Sequence, residues 1–175
     1  TVLLVGGSLG ARTINRSVME HLDLVTDTDV QFIWQTGKFY NQQVMDFMKG
    51  RELPNLKIMD FIGDMGAAYK ASDLVISRAG ASSISEFQLI GKPVILVPSP
   101  NVAEGHQTKN AMALVDKEAA LCVRDADAPD TLLKLALETI ADDKKLKALG
   151  ENARKMGLQN AADVIADEVL GLVKD

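Results

Sequence analysis

The chain has 175 residues, which is the size of one globular domain with a complete hydrophobic core. Its 19 basic and 24 acidic residues give a formal net charge of −5, which argues against a broad surface for nucleic acid or for anionic membranes. The single cysteine, Cys122, excludes an internal disulfide, and no apolar run in the sequence reaches the roughly 18 residues of a membrane span.

Short apolar runs alternate with helical patterns along most of the chain. The runs are nearly continuous, which is typical of strands covered on both faces, and they predict strands at Val2–Val5, Val30–Trp34, Leu56–Phe61, Leu74–Ser77, Val94–Val97 and Ala119–Val123. The segments between them predict helices at Ala11–Leu24, Phe39–Lys49, Asp64–Ala71, Ser82–Ile90 and Gln107–Asp116. This alternation predicts an α/β fold with a doubly wound parallel sheet, Rossmann-like in architecture. A helical C-terminal tail follows, with helices at Pro129–Ile140, Lys144–Met156 and Ala161–Val173.

The first glycine-rich turn, residues 6–10, lies between the first strand and the first helix. Glycines at this place let a phosphate approach the backbone at a helix N-terminus. The dinucleotide fingerprint needs a different glycine spacing and an acidic residue at the end of the second strand, where Gln35 stands instead. We therefore do not expect a nicotinamide cofactor. A turn that only packs the helix against the sheet remains an alternative.

The second turn, Ser77–Glu86, runs from the end of a strand into a helix. Ligands of open α/β sheets bind at the carboxyl ends of the strands, and the small residues here leave a helix N-terminus open to a pyrophosphate. Glu86 lies one helical turn beyond Ser82, where its carboxylate can accept two hydrogen bonds from a ribose diol. The alternative is a capping arrangement in which Ser82 or Ser83 caps the helix.

The third loop, Pro98–Asn110, also follows a strand and enters a helix. Three strand ends therefore converge on one edge of the predicted sheet. His106 and Gln107 could hydrogen-bond sugar hydroxyls, since an amide both donates and accepts. A solvated loop with no binding role is the alternative interpretation.

Four ordered stretches of the chain resemble the C-terminal, donor-binding half of the MurG-type glycosyltransferases. They are Gly6–Arg12 with Asn15, Phe61–Met65, Ser77–Glu86, and His106-Gln107 with Asn110. The resemblance covers nearly the whole chain. It implies one half of the GT-B architecture, in which two Rossmann-like domains bind the substrates in the cleft between them. It also implies an N-acetylglucosaminyltransferase of bacterial peptidoglycan synthesis whose donor is UDP-N-acetylglucosamine.

The resemblance implies roles in phosphate binding for three residues. Ser8 would face the diphosphate from the first glycine turn, and the backbone amides of Ala81 and Ser82 would hold it at the helix N-terminus. The charge that develops on the leaving diphosphate would be stabilised by these amides and by the helix dipole. We therefore expect neither a metal ion nor a cofactor.

The remaining roles that the resemblance implies concern the nucleoside and the sugar. Ile62 would offer its backbone N–H and C=O to the uracil edge, beside an apolar wall that includes Met65. Glu86 would bind the ribose hydroxyls, and Gln107, with His106 beside it, would bind the hydroxyls of the N-acetylglucosamine. Arg78 receives no firm role.

The resemblance also implies that half of the enzyme lies outside this chain. Thr1 is followed at once by an apolar strand, so we expect an N-terminal acceptor domain before it. That domain would supply the general base, the pocket for the lipid-linked muramyl-pentapeptide acceptor and the peripheral membrane contact. We expect no catalytic residue in this chain, donor binding without turnover, and a cytoplasmic location at the inner face of the plasma membrane for the full-length protein. In the implied inverting displacement, the 4-hydroxyl of the muramyl sugar attacks the anomeric carbon and UDP leaves.

Two alternatives remain open. The chain could come from another GT-B enzyme that uses a UDP-sugar, such as a glycolipid synthase or a UDP-N-acetylglucosamine epimerase. It could also be a non-catalytic subunit that binds the donor and works with a separate acceptor-binding chain.

Overall fold

The structure is a computed structural model that describes residues 1–101 and 105–172. The strands of this part are β1 (Val2–Val5), β2 (Phe32–Gln35), β3 (Leu56–Met59), β4 (Leu74–Ser77), β5 (Val94–Leu96) and β6 (Leu121–Cys122). The helices are α1 (Arg12–Glu20), α2 (Leu22–Thr26), α3 (Asn41–Met48), α4 (Met65–Ala71), α5 (Ala81–Ile90), α6 (His106–Val115), α7 (Ala128–Ile140), α8 (Asp143–Met156) and α9 (Ala161–Leu172).

The strands form one parallel sheet in the order β3-β2-β1-β4-β5-β6. Successive residues of β1 point to opposite faces, as the pleat requires. Val2 and Leu4 pack with α1, α2, α3 and α7, whereas Leu3 and Val5 pack with α4, α5, α6 and α8. Helices therefore cover both faces of the sheet, and the predicted doubly wound fold is confirmed.

Several predicted boundaries are wrong: β2 and β6, for example, each begin two residues later than predicted. The helix predicted over 11–24 is broken at His21, whose backbone (φ −125°, ψ 43°) leaves the helical region, and beyond the break Val25 of α2 is fully buried. The strand predicted to reach Phe61 ends at Met59, because the carboxylate of Asp60 accepts the Phe61 N–H at 2.8 Å. Such local side-chain bonds compete with the hydrogen bonds of a sheet.

The last helix, α9, stands apart from this core. No residue of α9 is buried, and its larger apolar side chains are 48–81% exposed: Val164, Ile165, Val169, Leu170 and Leu172. The predicted end of this helix at Val173 and the central residues of the third loop, Val102–Glu104, lie outside the described residues.

Candidate functional site

The carboxyl edge of the sheet carries the candidate site. Strand order reverses between the neighbours β1 and β4, and in open α/β sheets ligands bind in the crevice at this point. The turns that follow these two strands are the glycine-rich segments 6–10 and 78–80. The fold therefore brings together two of the segments that the sequence analysis selected.

The first glycine turn is held by backbone packing against the turn after β2. A Cβ at Gly10 would lie 2.1 Å from the carbonyl oxygen of Thr36, and a Cβ at Gly37 would lie 2.1 Å from the backbone nitrogen of Gly10. The N–H of Lys38 donates to the carbonyl of Ser8 at 3.3 Å. The packing alternative thus accounts for these glycines, and the same packing leaves Ser8 exposed at the edge of the sheet.

Ile62 follows β3 and is only 6% exposed. Its N–H donates to Oε1 of Gln35 at 3.0 Å, while Nε2 of the same glutamine donates to the carbonyl of Gly7 at 3.0 Å. The Ile62 N–H can therefore donate to uracil, as expected, only if it first gives up its hydrogen bond to Gln35. Met65 is half-buried at the start of α4.

The N-terminus of α5 is open. Gly80 is its N-cap residue and no side chain caps the helix, while the Ser85 hydroxyl bonds the carbonyl of Ala81 at 3.1 Å. The interpretation of Ser82 or Ser83 as a cap is therefore wrong. Ala81 and Ser82 are exposed, and the first N–H groups of a helix have no acceptor within the helix. They form a place where an anion can be held by backbone donors and the helix dipole.

Glu86 is exposed on α5, one turn beyond this N-terminus. Its Oε2 accepts a hydrogen bond of 2.9 Å from the hydroxyl of Tyr69 in α4. Tyr69 did not figure among the predicted site residues, because 17 positions separate it from Glu86 and only the packing of α4 beside α5 brings them together.

Gln107 lies in the first turn of α6, and its side chain ties two loops together. Its Oε1 accepts the N–H of Ala79 at 3.2 Å and the N–H of Ser99 at 2.8 Å. Both lone pairs of that oxygen are used, so the expected role toward sugar hydroxyls narrows to donation from Nε2. His106, the first residue of α6, is exposed.

A cavity of about 760 Å³ opens at this edge. Ser8 and Gln107 line it, whereas the other predicted site residues stand outside it: Ile62, Met65, Ala81, Ser82, Glu86 and His106. The guanidinium of Arg78 bonds the carbonyl of Val97 at 3.0 Å and forms an ion pair with Asp125, which also accepts the hydroxyl of Thr13 at 2.8 Å. Arg78 therefore braces three loops around the cavity, and Asp125 is a site residue that the sequence analysis missed.

Two Asp-x-Asp triplets, at 27–29 and 125–127, place carboxylates at a spacing that can bind a metal ion. In the second triplet Asp125 pairs with Arg78 and Asp127 pairs with Arg124 at 2.6 Å. Among residues 1–101 and 105–172, no group of three His, Cys, Asp or Glu side chains is arranged to hold a metal ion. In the same part of the chain, no helix is long and apolar enough to cross a membrane.

These features define a class: a Rossmann-like domain whose ligand edge combines a glycine-rich turn, an open helix N-terminus and an exposed carboxylate. The chain belongs to the family described as the glycosyltransferase family 28 C-terminal domain, whose model matches residues 1–167. The family predicted from the four ordered stretches is thereby confirmed.

Individual relatives agree with this assignment. The chain is 60% identical, over 99% of its length, to a Bacteroides thetaiotaomicron protein named UDP-N-acetylglucosamine--N-acetylmuramyl-(pentapeptide) pyrophosphoryl-undecaprenol N-acetylglucosamine transferase, of which it covers 47%. It is 61% identical over 99% of its length to the Bacteroides fragilis protein of the same name, of which it covers 46%. The chain thus spans about half the length of these curated relatives.

Solved structures show the same architecture. Acinetobacter baumannii MurG superposes on 98% of this chain with a TM-score of 0.82 and 29% identity, and the match covers 49% of that chain. The UDP-GlcNAc 2-epimerase of Neisseria meningitidis, solved with UDP-GlcNAc bound, matches 98% of this chain and 45% of its own with a TM-score of 0.69. At 15% identity, the second match shows the fold alone.

Proposed function

We propose that this chain is the donor-binding half of an inverting glycosyltransferase that transfers N-acetylglucosamine from UDP-N-acetylglucosamine to the 4-hydroxyl of a lipid-linked N-acetylmuramyl-pentapeptide. The observation that carries the proposal is the 60% identity, over 99% of the chain, to a relative named for that transfer. The match covers 47% of that relative, and we assign the general base, the acceptor pocket and the peripheral contact with the inner face of the plasma membrane to the other half. This half alone would bind the donor without turnover.

The α5 N-terminus supports the phosphate part of the proposal. Ala81 and Ser82 are exposed residues at the start of a ten-residue helix, where the partial positive charge of the helix favours an anion. Negative charge grows on the diphosphate as the bond to the sugar breaks. Backbone donors that are already in place stabilise that charge more strongly in the transition state than in the ground state.

The residues beside this N-terminus support the nucleoside part. Glu86 offers a carboxylate one helical turn away, and a carboxylate accepts the two hydrogen bonds that a vicinal diol donates. Ile62 and Met65 follow β3 on the neighbouring loop and helix, and their apolar side chains suit the face of a base. In this proposal Gln35 releases the Ile62 N–H when uracil binds.

The sugar part rests on the third loop and the first turn. Nε2 of Gln107 is the donor left to that side chain once Oε1 holds Ala79 and Ser99. Gln107 and Ser8 line the same cavity, so the N-acetylglucosamine and the outer phosphate would lie across it. His106 would contribute from the start of α6.

Titration calorimetry with UDP tests the proposal. We expect this chain to bind UDP, and we expect Glu86→Ala to raise the Kd for UDP by about 10-fold or more, because hydrogen bonds to a charged group are worth roughly 1.5–3 kcal/mol. Binding of uracil, which has no ribose, should be unaffected by the same substitution. Glu138→Ala is the matched control, since Glu138 is an exposed helical glutamate near the far end of α7.

Absence of heat at millimolar UDP would refute the donor-binding function. Equal losses for UDP and uracil in Glu86→Ala would refute the ribose role alone. Competition between UDP-N-acetylglucosamine and UDP-glucose separates the proposed donor from that of a glycolipid synthase, and we expect the N-acetyl sugar to bind more tightly.

A further inference from the structure

Tyr69 of α4 and Glu86 of α5 form a hydrogen-bonded pair that joins the two helices. The side chain of Tyr69 is 9% exposed, and its ring packs edge-to-face on Phe87, with centroids 5.7 Å apart and the ring planes at 78°. Phe87 is itself fully buried. The ring of Tyr69 is therefore held by the core, and its hydroxyl is presented at a fixed place beside the exposed Glu86.

The hydrogen bond from Tyr69 has a fixed direction. Its hydroxyl donates to Oε2 of Glu86 at 2.9 Å, and burial together with this bond raises the pKa of the phenol above its usual range. The phenol is thus protonated at neutral pH and acts as the donor. A carboxylate has about four lone-pair positions, so this bond occupies one of them and leaves enough for two further donors.

We propose that Tyr69 is a positioning residue for ribose recognition, which holds the Glu86 carboxylate in the orientation that receives the 2′- and 3′-hydroxyls of the donor nucleotide. This inference rests on the proposed function. A glutamate side chain without such a bond loses more rotamer freedom when a ligand orders it, and that loss weakens binding. Tyr69 touches no substrate in this scheme and acts only through Glu86.

Tyr69→Phe tests the inference, since it removes one oxygen and keeps the ring against Phe87. We expect the Kd of this chain for UDP to rise about 2- to 10-fold, which corresponds to the cost of immobilising one long side chain on binding. The Kd for 2′,3′-dideoxy-UDP, which lacks the diol, should stay the same. Fluorescence of Trp34 during urea unfolding establishes that the variant is folded under the conditions of the titration.

A double-mutant cycle supplies a readout that a purely structural role would not give. In the Glu86→Ala background, Tyr69→Phe should leave the UDP Kd unchanged, because the group through which it acts is gone. Equal weakening of both nucleotides, or a loss that persists without Glu86, would overturn the inference. Failure of the wild-type chain to bind UDP would instead refute the proposed function. Normal UDP binding by Tyr69→Phe would refute the positioning role alone.

Discussion

The interlocked glycine turns give a prediction whose size follows from the structure. Gly37 has a φ of +81°, and a Cβ there would lie 2.1 Å from the nitrogen and 2.2 Å from the Cα of Gly10. For Gly37→Ala the left-handed backbone costs about 1–2 kcal/mol, and displacing packed backbone costs about 1–3 kcal/mol more. We therefore expect Gly37→Ala to lower the free energy of unfolding by about 2–5 kcal/mol.

Gly50→Ala is the matched control for this prediction. Gly50 has a φ of +76°, but no described heavy atom lies within 4 Å of its Cβ position, so only the backbone cost of about 1–2 kcal/mol applies. Urea unfolding followed by the fluorescence of Trp34, the single tryptophan and a fully buried residue of β2, measures both variants. Equal losses of stability would show that the two turns do not depend on this close approach.

Two further predictions concern charge. Because the pKa of Tyr69 is raised in the folded chain, the unfolded chain releases this proton first as the pH rises, and the free energy of unfolding falls above about pH 10. The difference in stability between wild type and Tyr69→Phe should shrink there by up to about 1.4 kcal/mol per pH unit. Urea unfolding at pH 9 and pH 11 measures this difference, and a constant difference would contradict the prediction. Arg78→Met should lower the free energy of unfolding by about 2–3 kcal/mol, because it leaves the largely buried carboxylate of Asp125 without its ion-pair partner. Arg124→Met breaks an exposed ion pair and should lower it by less than about 1 kcal/mol. Similar urea midpoints for the two variants would contradict the role given to Arg78.

The sequence predicted the sheet well because its signals are local. Nearly continuous apolar runs such as Leu74–Ser77 can be satisfied only by strands covered on both faces, and all four residues of β4 are buried. The break at His21 escaped prediction because no glycine or proline stands there and the apolar spacing continues into α2. The early end of β3 depends on one hydrogen bond, which the Phe61 N–H donates to the carboxylate of Asp60.

The site was predicted less completely because its contacts join distant parts of the chain. The positions of Ser8, Ala81 and Glu86 follow from the rule that strand ends carry the ligand edge. The hydrogen bond between Gln107 and Ala79 could not be predicted in this way, because it joins residues 28 positions apart in the chain. Residue type alone shows that an amide can bond, and packing decides which partner it takes.

The exposure of α9 has a thermodynamic consequence. Melting this 12-residue helix uncovers little apolar surface, because its larger apolar side chains are already 48–81% exposed, and an unsupported helix of that length is marginal in water. Its helix–coil equilibrium is therefore only weakly coupled to the cooperative unfolding of the sheet. The far-ultraviolet ellipticity of this chain therefore reports both the melting of α9 and the unfolding of the sheet, whereas the fluorescence of Trp34 reports the unfolding of the sheet alone. A two-state free energy of unfolding can be taken only from the fluorescence signal.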